Sequence, residues 1–347
     1  MGTEQDGALT RRALLRAGAA GALGITAGGG ASAIVGAPAA QARGPQVARG
    51  GREHVHSLGT GGGDVDTSRF DPSVFLEQFD WGEISTLPDG GVLRTYRITA
   101  LDRSIEVAPG VHFEAWTYNG SVPGPTLRCT EGDRLLVEFS NAGSHPHTIH
   151  FHGVHPADMD GVFEIVEPGD SFTYEFDAKP AGVQLYHCHA VPLKRHVHKG
   201  LYGAFIIDPR GTKLTPAREM VMVMNGFDTN YDGENEIYAV NSVAFHYQRN
   251  PIRIRTGELV RLYLINMTEF DLINSFHLHG NFFKYWRTGT RPEHYDYTDN
   301  VMLCQGERGV MEFTFEHTGL FMFHAHQSEF AELGWMGLFD VSEDPVA

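Results

Sequence analysis

Tyr186-His187-Cys188-His189 is the stretch on which the reading of this chain turns, because three further pairs of histidines also flank a single residue, at His150/His152, His277/His279 and His324/His326. In an extended strand successive side chains point to opposite faces, so the two histidines of each pair project to one side and the enclosed residue to the other. Cys188 therefore faces away from His187 and His189. Metal ions held on the two faces of such a strand are joined by a few covalent bonds of backbone, an arrangement suited to electron transfer.

Working outward, the surroundings of these pairs occur twice. Pro125-Thr126-Leu127-Arg128-Cys129-Thr130-Glu131-Gly132-Asp133 leads to Phe139-Ser140-Asn141 and then to His150-Phe151-His152-Gly153; Pro251-Ile252-Arg253-Ile254-Arg255-Thr256-Gly257-Glu258 leads to Leu264-Ile265-Asn266 and then to His277-Leu278-His279-Gly280. Each copy continues through a strand, Phe172–Phe176 or Met311–Phe315, to a glycine five residues before the next pair, Gly182 or Gly319. Short alternating apolar and polar runs, punctuated by Gly, Pro, Asn and Asp and lacking a helical period, indicate two all-β antiparallel sandwiches. Turn residues and charges cluster at Asp208–Pro216, which separates a first domain, 88–210, from a second, 215–343.

A chain of 347 residues is long enough for two such domains with full cores. With 27 Lys+Arg against 43 Asp+Glu and a net charge of -16, it offers no basic patch for nucleic acid. On net charge alone, a cationic substrate suits this surface better than an anionic one. Residues 1–42 read as an address: Thr10-Arg11-Arg12-Ala13-Leu14-Leu15-Arg16, a weakly apolar Gly/Ala run and Ala40-Gln41-Ala42 resemble a twin-arginine export signal with its cleavage site. That implies a periplasmic or extracellular protein, and no later run is long and apolar enough to span a bilayer. Residues 43–87 read as a Gly-rich linker and N-terminal arm. Three cysteines are too few for a disulfide scaffold. Cys188 is assigned to metal, and Cys129 and Cys304 are expected as small buried residues at strand ends in preference to a disulfide.

Imidazole suits copper, zinc, iron and nickel, so one His-X-His does not name a metal. Four pairs at equivalent places in two repeats exceed what one closed zinc site needs and point to a multinuclear cluster. A thiolate with two imidazoles and a weak axial position makes a blue-copper site, with His147 and His196 placed to supply the imidazoles beside Cys188. Comparison of the repeats tests this: His147 corresponds to Asn274, Cys188 to Ala325 and His196 to Phe330, while all four pairs survive. The second domain has lost its mononuclear site and kept half of the cluster.

Trp116–Leu127, His147-Thr148-Ile149-His150-Phe151-His152-Gly153, Tyr186–His189 and Phe276-His277-Leu278-His279-Gly280 resemble the multicopper oxidases built from cupredoxin domains, in particular the two-domain, laccase-like branch related to copper nitrite reductases. The resemblance covers roughly residues 88–343 and implies two cupredoxin-like Greek-key β-sandwiches. It implies a type 1 copper at His147, Cys188 and His196. It places the type 2 copper at His150 and His277, and the type 3 pair at His152, His187, His189, His279, His324 and His326, so about four coppers per chain. It also implies a cluster assembled between neighbouring chains of a homotrimer, although the sequence permits a site within one chain. The implied reaction is one-electron oxidation of phenolic, aromatic or metal-ion donors, coupled to reduction of dioxygen to water.

The chain departs from the family pattern at two points. Most three-domain members carry the cysteine in the last pair, which here reads His324-Ala325-His326, and the axial position five after His196 is Leu201 instead of the methionine of nitrite reductases. A residue that does not coordinate there raises the copper potential. Asp160 matches an acidic residue the family places beside the cluster for proton delivery, and Glu329 is a second candidate, with a solvated turn carboxylate the plainer role for it. His145, His155 and His198 are expected to line the copper sites. The alternative functions are a copper nitrite reductase, in which an aspartate stands where this chain has His150, and a non-catalytic copper-binding electron carrier, which needs no eight further histidines.

Overall fold

The computed structural model describes residues 64–343, and the segment read as an export signal lies outside the described residues. The chain is all-β and forms two cupredoxin-like sandwiches. In the first, Glu83–Thr86, Val92–Ala108, Val111–Tyr118, Arg134–Asn141 and Ser171–Asp177 form one sheet, and Gly124–Thr130, Tyr202–Asp208, Gly182–His187 and His150–Phe151 form the other. The second repeats the plan: Arg218–Phe227, Val260–Asn266 and Arg308–Phe313 are central to one sheet, and Ile252–Arg255, Met336–Ser342, Gly319–His324, Asn274–Leu278 and Asn300–Leu303 make the other. Within 64–87 lie one helical turn, Pro72–Phe75, capped by Asp71, and the strand Glu83–Thr86.

Pairing is not antiparallel throughout. Val92–Ala108 runs parallel to Arg134–Asn141 and Gly124–Thr130 parallel to Tyr202–Asp208; in the second sandwich Arg218–Phe227 runs parallel to Val260–Asn266 and Ile252–Arg255 parallel to Met336–Ser342. Connections that cross from sheet to sheet bring early and late strands side by side in the same direction, and composition does not register this.

Alternation sets where each core lies. Along Met220-Val221-Met222-Val223-Met224 the methionines enter the second domain's own core, while Val221 and Val223 enter a separate apolar layer with Val183, Leu185 and Ile206 of the first domain. That layer welds the two sandwiches. Beside it, Arg128 bonds Asp208 at 2.9 Å and Glu219 at 2.7 Å, Arg261 bonds Glu219 and Glu312, and Tyr263 donates to Glu219 at 2.8 Å.

The cysteines behave differently from one another. Cys129 is buried in its strand as expected, whereas Cys304, just past the end of Asn300–Leu303, is exposed; both are free thiols. A strand-end position does not imply burial when the following turn faces solvent.

Candidate metal centre

The strand Gly182–His187 presents Val183 and Leu185 to the interdomain layer and Tyr186 to the first domain's own core, where Cys188 joins it. The odd-numbered face therefore carries His187 and His189, and Cys188 points the other way, as alternation requires. There Cys188 Sγ lies 3.2 Å from His196 Nδ1, which lies 3.2 Å from His147 Nδ1. All three side chains are buried, and Trp116 packs on the rings of His147 and His196. His196 sits on the short helix Leu193–His198. Leu201 closes the site from the chain: its N–H reaches His196 O and its carbonyl takes Cys188 N–H at 2.9 Å.

On the other face His150, His152 and His187 bring ligand nitrogens within 4.8 Å of one another. His150 and His187 are register partners, and each fixes Nδ1 on a backbone carbonyl: His150 on Asp160 O at 2.7 Å, His187 on Cys188 O at 2.9 Å. This leaves each Nε2 lone pair free for metal. His152 Nε2 faces His187 Nε2 at 3.2 Å, and His189 packs its ring near those of His150 and His187.

The second domain reproduces this arrangement. His277 and His324 are register partners and fix Nδ1 on Asp299 O and Ala325 O, His279 Nε2 faces His324 Nε2 at 2.8 Å, and His326 packs against His277. Even the supporting bonds recur, since His189 N–H donates to Thr148 Oγ1 and His326 N–H to Ser275 Oγ. No group of converging ligand atoms among the described residues combines histidines of the two halves.

The second domain's counterpart of the Cys188 site is equally visible. Ala325 N–H bonds Trp335 O and Trp335 N–H bonds Phe330 O, matching Cys188 to Leu201 and Leu201 to His196. Phe330 thus stands where His196 does, stacked on Tyr238, and the buried Trp335 stands where Leu201 does. Asn274, Ala325 and Phe330 stand in place of the three candidate ligands, and Trp335 adds aromatic bulk beside them. Trp335→Ala is expected to destabilise the fold by about 4 kcal/mol, since it removes a fully buried ring and leaves a cavity in the core; chemical denaturation measures it.

The donor sets fit copper. Coordination requires neutral imidazoles. Burial pushes His147 and His152 down to about 3, helped by His196 for the first and by His187 and Arg308 for the second. Burial also takes His187 and His196 to about 4, although the bond to Cys188 O opposes it at His187. The Cys188 thiol is pushed up by burial, partly offset by the Thr148 N–H, so a metal must displace its proton.

Asp160 caps the 3-10 turn Ala157–Met159 and brings Oδ1 to 3.2 Å from His150 Nδ1 and 3.6 Å from His155 Nε2. Glu329 lies exposed in the helix Ser328–Glu332, and its carboxylate makes no ion pair with a histidine among the described residues. Two residues were not singled out from sequence. Asp299 holds His277 through its carbonyl as Asp160 holds His150, but it lies 22 residues from its histidine where Asp160 lies 10 from His150, so aligning the repeats does not bring the two together. Arg308, from the second domain, reaches Val183 O at 3.2 Å, Gln184 Oε1 and His152 Nδ1 at 3.4 Å. Nothing in a one-dimensional reading joins Arg308 to His152.

Multicopper oxidase family models match residues 101–212 and 213–345. The chain belongs to the multicopper oxidase family. A solved multicopper oxidase is 55% identical to this family member, covering 78% of this chain and 97% of that one with a TM-score of 0.77. The blue copper oxidase of Nitrosomonas europaea is 28% identical, covering 72% and 86%, with a TM-score of 0.65. The copper-containing nitrite reductase of Neisseria meningitidis serogroup A is 29% identical over 206 residues, 54% of this chain and 53% of that protein. The chain thus spans about half the length of the nitrite reductases it matches. The relatives include both copper oxidases and copper nitrite reductases, so copper is the metal that the family implies for these donor sets.

Proposed function

We propose that this multicopper oxidase is laccase-like, withdrawing single electrons from phenolic, aromatic or metal-ion donors and reducing dioxygen to water. The observation that carries the reading is the pair of equivalent half-sites, each with four histidines and the same carbonyl anchors, beside one thiolate site. His147, Cys188 and His196 would hold the type 1 copper, His150 and His277 the type 2, and the remaining six histidines the type 3 pair. Bound copper supplies one-electron redox steps and oxygen binding. The chain's own groups orient each imidazole, shield the thiolate from water, and place the Asp160 carboxylate within reach of the cluster for proton delivery. Four donor molecules each lose one electron, and one dioxygen takes up four electrons and four protons to give two waters, the protons coming from the donors where they are phenols and from solvent where they are metal ions. Oxygen uptake of about one per four electrons, without peroxide, is the expected result. Nitric oxide formed from nitrite at a comparable rate, with oxygen untouched, supports the nitrite reductase reading instead.

The two half-sites of one chain are separate, so the complete cluster would need a neighbouring copy, and a homotrimer closes such a ring. Apolar side chains stand exposed beside both halves: Val154 and Phe163 near the first, Met302, opposite Ser275, and Leu320, in the His324 strand, near the second. Phe163→Glu is expected to dissociate the assembly and abolish oxygen uptake while leaving the blue absorption. Full activity at a monomer's mass in a sedimentation run would refute the shared cluster.

Leu201→Met adds a weak sulfur ligand and is expected to lower the type 1 potential in redox titration; an unchanged potential places the axial position elsewhere. No helix among the described residues is long and apolar enough to cross a membrane. Export through the twin-arginine route is proposed from the N-terminal sequence.

A further inference from the structure

The helix Leu193–His198, which carries His196, also forms one wall of a cleft of 660 Å³. Lys194, Arg195, His198 and Lys199 line it on that side; Asp228, Tyr231, Asp232 and Phe270 line it from the second domain. The chain bears a net charge of -16, yet this wall is cationic. Lys194 lies over the Phe270 ring at 4.3 Å and Arg195 over Trp116 at 5.0 Å, and neither forms an ion pair among the described residues. Lys199 is only 8% exposed, and its ammonium donates to Glu114 O at 2.6 Å and Tyr231 Oη at 3.0 Å, with no carboxylate partner. A buried cation held only by neutral oxygens is costly and contributes a positive potential on its wall.

The opposing carboxylates offset part of this charge: Asp228 and Asp232, with Glu236 close by, face Lys194, Arg195 and Lys199, of which Lys194 and Arg195 are exposed. Asp228 is buried and its two oxygens take the N–H groups of Asp232 at 3.1 Å and Gly233 at 2.8 Å, while the exposed Asp232 takes that of Glu234. The aromatic walls are held at some expense: Tyr231 has φ 66 and Phe270 φ 72, the left-handed region that bulky residues seldom adopt. Arg195 stacks on Trp116, whose ring lies 4.8 Å from that of His196, so the cleft communicates with the proposed type 1 site.

Resting on the laccase-like reading, we infer that the reducing substrate taken in this cleft is an anionic phenol, an aromatic ring carrying a carboxylate. The ring would lie against Tyr231 and Phe270 and the carboxylate on Lys194, Arg195 or Lys199. The local field is opposite in sign to the net charge, so the preference is the reverse of the one that composition implies.

Three donors with the same 4-alkyl-2-methoxyphenol ring test this: homovanillate, the neutral homovanillyl alcohol and the cationic 3-methoxytyramine. The readout is anaerobic bleaching of the blue band in the copper-loaded protein. At low ionic strength the homovanillate rate constant is expected to exceed that of 3-methoxytyramine by roughly ten-fold, and the ratio to shrink toward one at about 0.5 M salt. Lys194→Glu, at an exposed position where folding is safe, is expected to cut the ratio by roughly ten-fold at low salt. Calorimetric binding of homovanillate to the copper-free protein is expected to weaken in the same variant. A ratio within three-fold of one at low salt, or one favouring the amine, overturns the inference while leaving the oxidase reading intact. So does a salt-sensitive preference seen only with a reduced acidic cytochrome, which makes the cleft a protein-docking face. Failure of all three donors to bleach the band counts against the laccase-like reading itself.

Discussion

Cys188→Ser is expected to remove the intense thiolate-to-copper absorption, to lower the copper content from about four to about three per chain, and to slow donor oxidation at least about a thousand-fold. Three features of the structure combine to give so large an effect. Cys188 is the one thiol near His147 and His196, its sulfur is buried with them, and Ala325 and Phe330 leave the second domain no substitute. Serine nearly matches the volume of cysteine, so the packing around Trp116 and Leu201 should survive. The cluster histidines lie on the opposite face of the strand and keep their carbonyl anchors, so their copper should stay. Elemental analysis and the cluster's electron paramagnetic resonance separate the outcomes. Loss of all copper would mean that the two faces load as one unit, and an unchanged blue band would move the type 1 site away from Cys188.

Glu219→Gln should cost about 3 kcal/mol of stability, because it removes the carboxylate shared by two buried arginines at the domain boundary. Glu219 accepts from Arg128, Arg261 and Tyr263, and both arginine side chains are 6% exposed. Burial by itself would raise the Glu219 carboxyl, but the Arg128 hydrogen bonds and charge, with Tyr263 and Arg261, hold it below its ordinary value. The sign of the pH dependence follows: the carboxylate's stabilisation is complete above its unfolded value of about 4.3 and is lost as pH falls through the lower folded value. Denaturant midpoints for wild type and variant are therefore expected to differ at pH 7 and to converge as pH falls through the lowered folded value. A constant difference across that range would place the effect in packing instead of charge.

The sequence by itself determined the β architecture, the two copies, the four histidine pairs and the absence of a thiol from the second copy's last pair. These properties are local. Alternation along a strand decides that Cys188 faces away from His187 and His189, and the substitutions at Asn274, Ala325 and Phe330 can be read by aligning one repeat with the other. Only the tertiary structure decided what depends on distant segments meeting. Parallel pairing of early and late strands, the apolar layer joining Val183 to Val221 and the approach of Arg308 to His152 come from segments far apart in the chain. Trp335 as the residue that stands in the place of Leu201 is likewise seen only in the bond pattern of the folded chain. The cleft is a mixed case: Lys194, Arg195 and Lys199 are neighbours in the sequence, and only the fold sets them opposite Tyr231 and Phe270. A net charge sums over the whole molecule and carries no position, whereas the field a substrate meets is set within a Debye length, where Lys194, Arg195 and Lys199 gather on one short wall.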